Sequence, residues 1–358
     1  MENKKNIGIL TLLYNANYGG VLQIYALMTY LKSEGYNVKY ITRMYPEKNK
    51  ILKFIRDIVK FIIQKNRKQK LRNKEIDSFF LKNIQPRTKK IWTHSDFKIL
   101  NKEHFSTIIV GSDQIWRPWF FVDDYFLGFT SGLNYNVRKI AYSASFGVDE
   151  WLFDEPTTKK LRQLIKKFDA VSVREKSGID LCKKYLCVNA CLTLDPTFLL
   201  PPENYISLFE QRKNNTPYIA TYILDINEEK SQICEYISLA LSLKVNHIQQ
   251  KENKIRKPIS AWLRDIYESD FVITDSFHGT VFSIIFNKPF ISIGNAQRGM
   301  TRFLSLLSLF SLENRIVNGY CKEKIDKIIT TSINWNQVNY IKEQLITFSK
   351  DYLKKNIQ

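Results

Sequence analysis

Short apolar runs of strand length alternate with amphipathic stretches along almost the whole chain. Such runs fall at 7–14, 38–41, 105–110, 139–144, 170–173 and 192–194, then at 218–224, 244–248, 271–273 and 289–293. Between them, helical patterning spans 21–35, 75–81, 161–168, 230–243, 259–267, 281–286 and 301–307. A final amphipathic helix is predicted over 338–352, long enough to pack back across a domain junction. Alternation of this kind predicts an α/β protein with mostly parallel sheets. At 358 residues two domains are expected. Pro201-Pro202 and the polar run 211–217 mark the border, giving 1–205 and 206–358. Two such domains facing each other make a cleft.

The polar breaks after the strands carry the candidate chemistry, because ligands of open parallel sheets bind at the strands' carboxyl ends. In FVITDSFHGTVFSIIFNKPF (271–290), a strand feeds a helix through Thr274-Asp275-Ser276, with His278-Gly279 following. The free N–H groups of that helix favour an anion beside the histidine. His278 reads either as a site residue or as a structural histidine of the turn, and Asp275 as an N-cap or a histidine orienter. Asn17, Gly19 and Gly20 follow the first strand without forming GxGxxG. They read as a phosphate or sugar cradle, or as glycines the turn itself needs. Gly111-Ser112-Asp113-Gln114-Ile115-Trp116 gathers small, polar, acidic and aromatic residues beyond another strand. Trp116 and Trp119 suit sugar stacking or core packing. Arg174 ends the strand at 170–173 and reads as an anion clamp or as the partner of Glu175 or a neighbouring acid.

Composition changes the picture in three ways. Apolar content of 44% with 13% aromatics excludes a disordered chain. The N-terminus lacks a secretory pattern and no apolar run suits a membrane span, so a cytoplasmic location is expected. The five cysteines form no CxxC, and buried thiols explain them better than disulfides or zinc; no metal site is expected. The net charge of +19 is concentrated between Lys48 and Lys74, where eleven Lys/Arg face one acid, Asp57. Apolar residues at helical spacing run through it, predicting a basic amphipathic insertion over about 48–82. Its partner is the rest of the protein or an anionic membrane surface. No nucleic-acid motif accompanies the charge, so no nucleic-acid partner is expected.

The stretches NYGGVLQIYAL (17–27), VGSDQIW (110–116), AYSASFG (141–147), VSVREKSG (171–178), LDPTFLL (194–200) and TDSFHGTVFSIIFNKPF (274–290) together resemble the polysaccharide pyruvyl transferase family. That resemblance implies two Rossmann-like domains in a GT-B-like arrangement. It also implies transfer of the enolpyruvyl group of phosphoenolpyruvate to a sugar, usually as a cyclic ketal, during cell-surface polysaccharide synthesis. Phosphoenolpyruvate is then a donor substrate, no cofactor is expected, and the acceptor is a sugar or a lipid-linked oligosaccharide. A lipid-linked acceptor accords with peripheral contact at the cytoplasmic face of the membrane.

On this reading His278 is the general acid or holds the leaving phosphate, with Asp275 beside it. Arg174 clamps the donor, assisted by Arg298 or Arg302. Asn17, Gly19, Gly20, Gln23, Ser112, Asp113 and Gln114 line the acceptor side, and Ser276 and Gly279 complete the histidine turn. Many relatives carry an arginine two positions before the histidine where this chain has Ser276, so either that duty is met elsewhere, with Arg174, Arg298 and Arg302 as the candidates, or the donor differs. A glycosyltransferase using a nucleotide-sugar donor is the first competing reading. A non-enzymatic membrane or nucleic-acid binder is the second.

Overall fold

The structure, a computed structural model, describes residues 5–12, 17–44, 65–118, 121–213, 216–248, 256–294 and 299–357. The chain folds as two compact units, Met1–Leu199 with Ile346–Gln358, and Leu200–Leu345.

The first unit is built on six parallel strands: β1 (Asn6–Leu10), β2 (Asn37–Tyr40), β3 (Thr107–Val110), β4 (Arg138–Ala144), β5 (Ala170–Val173) and β6 (Cys191–Leu192). Their order is β2-β1-β3-β4-β5-β6. The chain runs outward in opposite directions from β1 and β3, so the loops after these two strands flank the topological switch point. The central strands read as continuous apolar runs because both sheet faces are covered: Thr107–Val110 is buried at every position. The last turns of helix Trp335–Ile357 belong to this unit. Tyr352 donates from its hydroxyl to the carbonyl of Ala141 at 2.9 Å, and the amide of Leu194 donates to Ser349 Oγ at 3.0 Å.

The second unit carries β7 (Tyr218–Tyr222), β8 (Lys244–His247), β9 (Phe271–Thr274), β10 (Phe290–Ile293) and β11 (Ile316–Val317). All pairs are parallel, in the order β11-β10-β9-β7-β8, with the switch between β7 and β9. Ile219, Ile233, Ile237, Phe271, Ile273 and Ile291 form the heart of one core layer.

Several predicted bounds shift for local reasons. Helix Tyr18–Ser33 begins before the predicted 21, because the Asn17 side chain accepts the Gly20 N–H and caps it. Gly19 and Gly20 therefore lie in a helical turn. In the second unit the cap is Ser276, whose Oγ accepts the Gly279 N–H, and helix Phe277–Ile285 places His278 in its first turn. Asp275 is not the cap. Helix Lys65–Asn83 contains the predicted 75–81 segment, and its Ile76 and Phe80 are buried, Phe80 edge-on to Tyr40. The apolar side of this helix at Ile76 and Phe80 is thus occupied by the first unit; residues 48–64 and the side chains of 65–72 lie outside what the structure describes. No helix among the described residues is long and apolar enough to cross a membrane.

Candidate functional site

At the switch point of the first unit, the loops after β1, β3, β5 and β6 are joined by one buried polar chain. Gln23 is 1% exposed and reaches back from its helix, donating from Nε2 to Thr11 Oγ1 at 3.2 Å and to the Gly20 carbonyl at 3.1 Å. Its Oε1 accepts the Ser112 amide at 3.3 Å, and Thr11 Oγ1 donates to the Ser112 carbonyl at 2.9 Å. The Ser112 hydroxyl donates to Asp195 Oδ2 at 3.3 Å. That same oxygen accepts from Arg174 Nη1 at 2.8 Å, while Arg174 Nη2 reaches Asp113 Oδ1 at 3.4 Å. Thr197 closes the chain, donating to Asp195 Oδ1 through its amide at 3.1 Å and its hydroxyl at 2.8 Å.

Backbone geometry holds this arrangement in place. Gly111 has φ +125°, and a Cβ there would fall 2.1 Å from the backbone oxygen of Tyr142, so only glycine lets β3 end against β4 this way. Asp113 sits in the left-handed region at φ 72°, uncommon for a residue with a side chain and a frequent mark of functional loops. It is fixed there because the Ser145 amide donates to its carbonyl at 3.1 Å and the Gln114 amide to its own Oδ1 at 2.9 Å.

Arg174 therefore has two acids as partners, Asp195 and Asp113, matching the paired alternative raised for it. Burial works against its cation, but the carboxylates of Asp195, Asp113 and Glu175 outweigh that and raise its pKa above the usual arginine value. Glu175 itself is fully buried, and its Oε1 accepts Ser145 Oγ and the amides of Phe146 and Gly147. Trp116 is fully buried, stacked on Phe126 at 5.1 Å with its indole N–H donating to the Tyr125 carbonyl, so it packs the core and presents no sugar platform. Trp119 lies outside the described residues.

The second cluster occupies the β7/β9 switch. Asp275 is 0% exposed, and its Oδ1 accepts the Leu224 amide at 2.6 Å. Its Oδ2 accepts the Asp225 amide at 3.2 Å and Lys230 Nζ at 2.6 Å. Lys230 also donates to the Asp225 carbonyl at 2.8 Å. Asp275 is thus the clasp between the loop after β7 and the loop after β9. Thr274 strengthens the clasp, donating from Oγ1 to the Tyr222 carbonyl at 2.7 Å and accepting the Ser276 amide at 3.0 Å. The glycine after His278 is required by packing: a Cβ at Gly279 would fall 2.2 Å from Thr274 Oγ1.

His278 is buried on the first turn of its helix, its ring edge-on to Phe277 at 5.3 Å. Arg302, from helix Met300–Leu309, is also buried, with its guanidinium 5.5 Å from the Phe277 ring centroid. Arg298 lies outside the described residues.

Asp195 is the hub of the first cluster and Lys230 the cationic partner in the second, and neither has a role assigned from sequence. Asp195 had a usable signal, an acid directly beyond an apolar strand, as at Asp113. Lys230 had a fainter one: it is a cation in the first turn of helix Glu228–Leu241, where the helix dipole favours acids. A buried carboxylate beside it accounts for the exception.

Solved structures of similar fold include S. aureus MnaA with UDP, at 12% identity over 98% of this chain and 97% of that one, TM-score 0.52. UDP-GlcNAc 2-epimerase from Methanocaldococcus jannaschii matches at 11% identity over 92% and 93%, TM-score 0.54. Arabidopsis thaliana UGT89C1 complexed with UDP-L-rhamnose matches at 9% identity over 99% and 98%, TM-score 0.54. At such identities these neighbours establish the fold alone: GT-B-like, with two Rossmann-like domains. No curated protein matched by sequence. The sequence model of the family described as "Polysaccharide pyruvyl transferase" matches residues 17–297, a span reaching from the cap of the first helix past the His278 turn to β10 and beyond. The chain belongs to the polysaccharide pyruvyl transferase family and is a transferase.

Proposed function

We propose that this protein transfers the enolpyruvyl group of phosphoenolpyruvate to a sugar of a cell-surface polysaccharide or its lipid-linked precursor, forming a pyruvate ketal and releasing phosphate. The observation that carries this reading is the family match over 17–297. The chemistry requires a proton at the methylene carbon of the donor, which leaves positive charge on the central carbon. One sugar hydroxyl adds to that carbon, the carbon–oxygen bond to phosphate breaks, and a second hydroxyl closes the ring. His278 is suited to supply the proton or hold the departing phosphate, because an imidazole can both give and take a proton and donate hydrogen bonds to an anion. Its place on the first turn of a helix supports this, since the dipole of a helix favours negative charge at that end. Arg302, with its guanidinium 5.5 Å from the Phe277 ring centroid, is a described candidate for the donor's carboxylate or phosphate. Asp113, Gln114, Ser112 and Asn17 are assigned to the acceptor, whose hydroxyls need carboxylate and amide partners.

The test is incubation with phosphoenolpyruvate and a panel of free and lipid-linked sugars, with mass spectrometry for the ketal and an assay for phosphate. Ketal and phosphate in equal amounts, lost in His278→Ala, are expected. UDP-sugars serve as the control arm. Stabilisation against heat by a UDP-sugar but not by phosphoenolpyruvate would sink the proposal.

A further inference from the structure

A pocket opens in the first unit between the short helix Gly128–Gly132, the start of β4 and the end of helix Glu155–Ile165. Lys139, the second residue of β4, contributes to it, and about 16 Å of strand separate that residue from Ala144 at the other end. The pocket is therefore on the amino edge of the sheet, opposite the loops of the candidate site. Leu127 and Leu164 give it apolar walls, Thr130 and Ser131 add hydroxyls, and Lys139 and Lys167 bring two cations. Among the described residues, no acid lines it. Its volume of about 50 Å³ holds about three or four waters, or one small oxyanion, at the roughly 10–15 Å³ that a water needs.

The two lysines are the groups with binding capacity to spare. Thr130 Oγ1 donates to the Leu127 carbonyl at 2.7 Å, and Ser131 Oγ to the Gly128 carbonyl at 3.0 Å. Neither ammonium has a hydrogen-bond acceptor or an ion-pair partner among the described residues. The acid that Lys139 senses is Asp169, which is engaged elsewhere. Its Oδ2 accepts the Lys139 amide at 2.8 Å, and its Oδ1 lies 3.7 Å from Arg138 Nη2. Burial and the Lys167 cation lower the pKa of Lys139, against the opposing pull of Asp169. An anion between the lysines relieves that repulsion, and the apolar walls strengthen the attraction. Two cations match a phosphate, with about two negative charges at neutral pH, better than a singly charged carboxylate.

We propose that Lys139 and Lys167 form a binding site for a phosphate dianion, supplied as inorganic phosphate or as the terminal phosphate of a lipid.

Acetylation of individual lysines by an N-hydroxysuccinimide ester, read by peptide mass spectrometry, is compared in phosphate and in chloride at equal ionic strength. Bound phosphate shields both amines and holds Lys139 protonated. Acetylation of Lys139 and Lys167 therefore slows, while that of exposed Lys324 on the other unit is unchanged. Lys167→Ala, at an exposed position, keeps the fold and raises the phosphate concentration that half-protects Lys139 by about tenfold or more. Lys167→Arg keeps the charge and most of the protection. Phosphatidylcholine vesicles with and without phosphatidic acid form the second arm. Protection by soluble phosphate assigns the free ion, and protection by phosphatidic acid vesicles alone assigns the lipid. Equal rates in phosphate and chloride, together with no effect of either vesicle, would overturn the proposal. So would protection of Lys139 that survives undiminished in Lys167→Ala.

Discussion

Replacing Lys230 by Met tests whether the Asp275 clasp holds the second unit together. The ammonium and carboxylate are 2.6 Å apart, with side-chain exposures of 8% and 0%. At an effective dielectric of about 20 their attraction is roughly 6 kcal/mol, of which desolvation of both ions offsets a large part. Methionine nearly matches the lysine stem in volume, so packing is conserved. The variant takes the Lys230 cation from a buried carboxylate that also accepts the Leu224 and Asp225 amides. Breaking a buried pair in this way costs about 3–5 kcal/mol, a large share of the stability of an ordinary domain. Asp275→Asn is expected to be milder, because Lys230 keeps the Asp225 carbonyl as acceptor. Lys230→Met/Asp275→Asn removes both charges and is expected to fall short of the summed losses by about 2 kcal/mol or more. Urea unfolding followed by hydrogen exchange in peptides covering 218–224 and 271–285 isolates this unit from the other. A loss below about 1 kcal/mol in Lys230→Met, or strictly additive losses, would refute the reasoning.

Three further outcomes are expected. Gly111→Ala must open a 2.1 Å contact with the Tyr142 backbone by about an ångström at a positive φ, and displacement on that scale costs about a hundredfold in turnover; wild-type turnover in a folded variant would contradict it. Burial pushes the Cys182 thiol well up and that of Cys234 up to about 12, so at pH 8 iodoacetamide labels exposed Cys187 first and the other two only after unfolding, as peptide mass spectrometry would read. Burial, with Asp265 adding, likewise raises Tyr218 to about 12. The folded state holds the protons of Tyr218 and Cys234 at pH values where the unfolded chain has released them. The stability they contribute is therefore complete below the unfolded values, about 8.5 for Cys and 10 for Tyr, and is lost as pH climbs toward 12. A Tm that does not fall between pH 8 and pH 10.5 would contradict this.

The architecture was legible because fully covered parallel strands produce unbroken apolar runs, and almost every strand was found within a few residues. Strand Ala170–Val173 and helix Ile259–Tyr267 have the predicted bounds. Helix starts were less legible. Asn17 and Ser276 cap their helices through side-chain bonds to the fourth residue, drawing glycines and His278 into turns that composition alone reads as loops. The indole of Trp116 also followed the commoner rule for its type and went to the core.

Sequence by itself determined the alternation of strand and helix, the placing of polar residues just beyond strands, and the family. Those properties are local, or nearly so: periodicity, turn chemistry and short motifs are read within a dozen residues. Tertiary structure alone decided the partners. Asp195 meets Arg174 across 21 positions, Ser112 meets Asp195 across 83, and Lys230 meets Asp275 across 45. Parallel sheets impose this distance, because each strand returns only after a crossover and neighbours in space are drawn from far along the chain. At the two switch points, side chains from distant loops end side by side. There Arg174 pairs with Asp195 and Asp113, and Asp275 is a clasp instead of a cap.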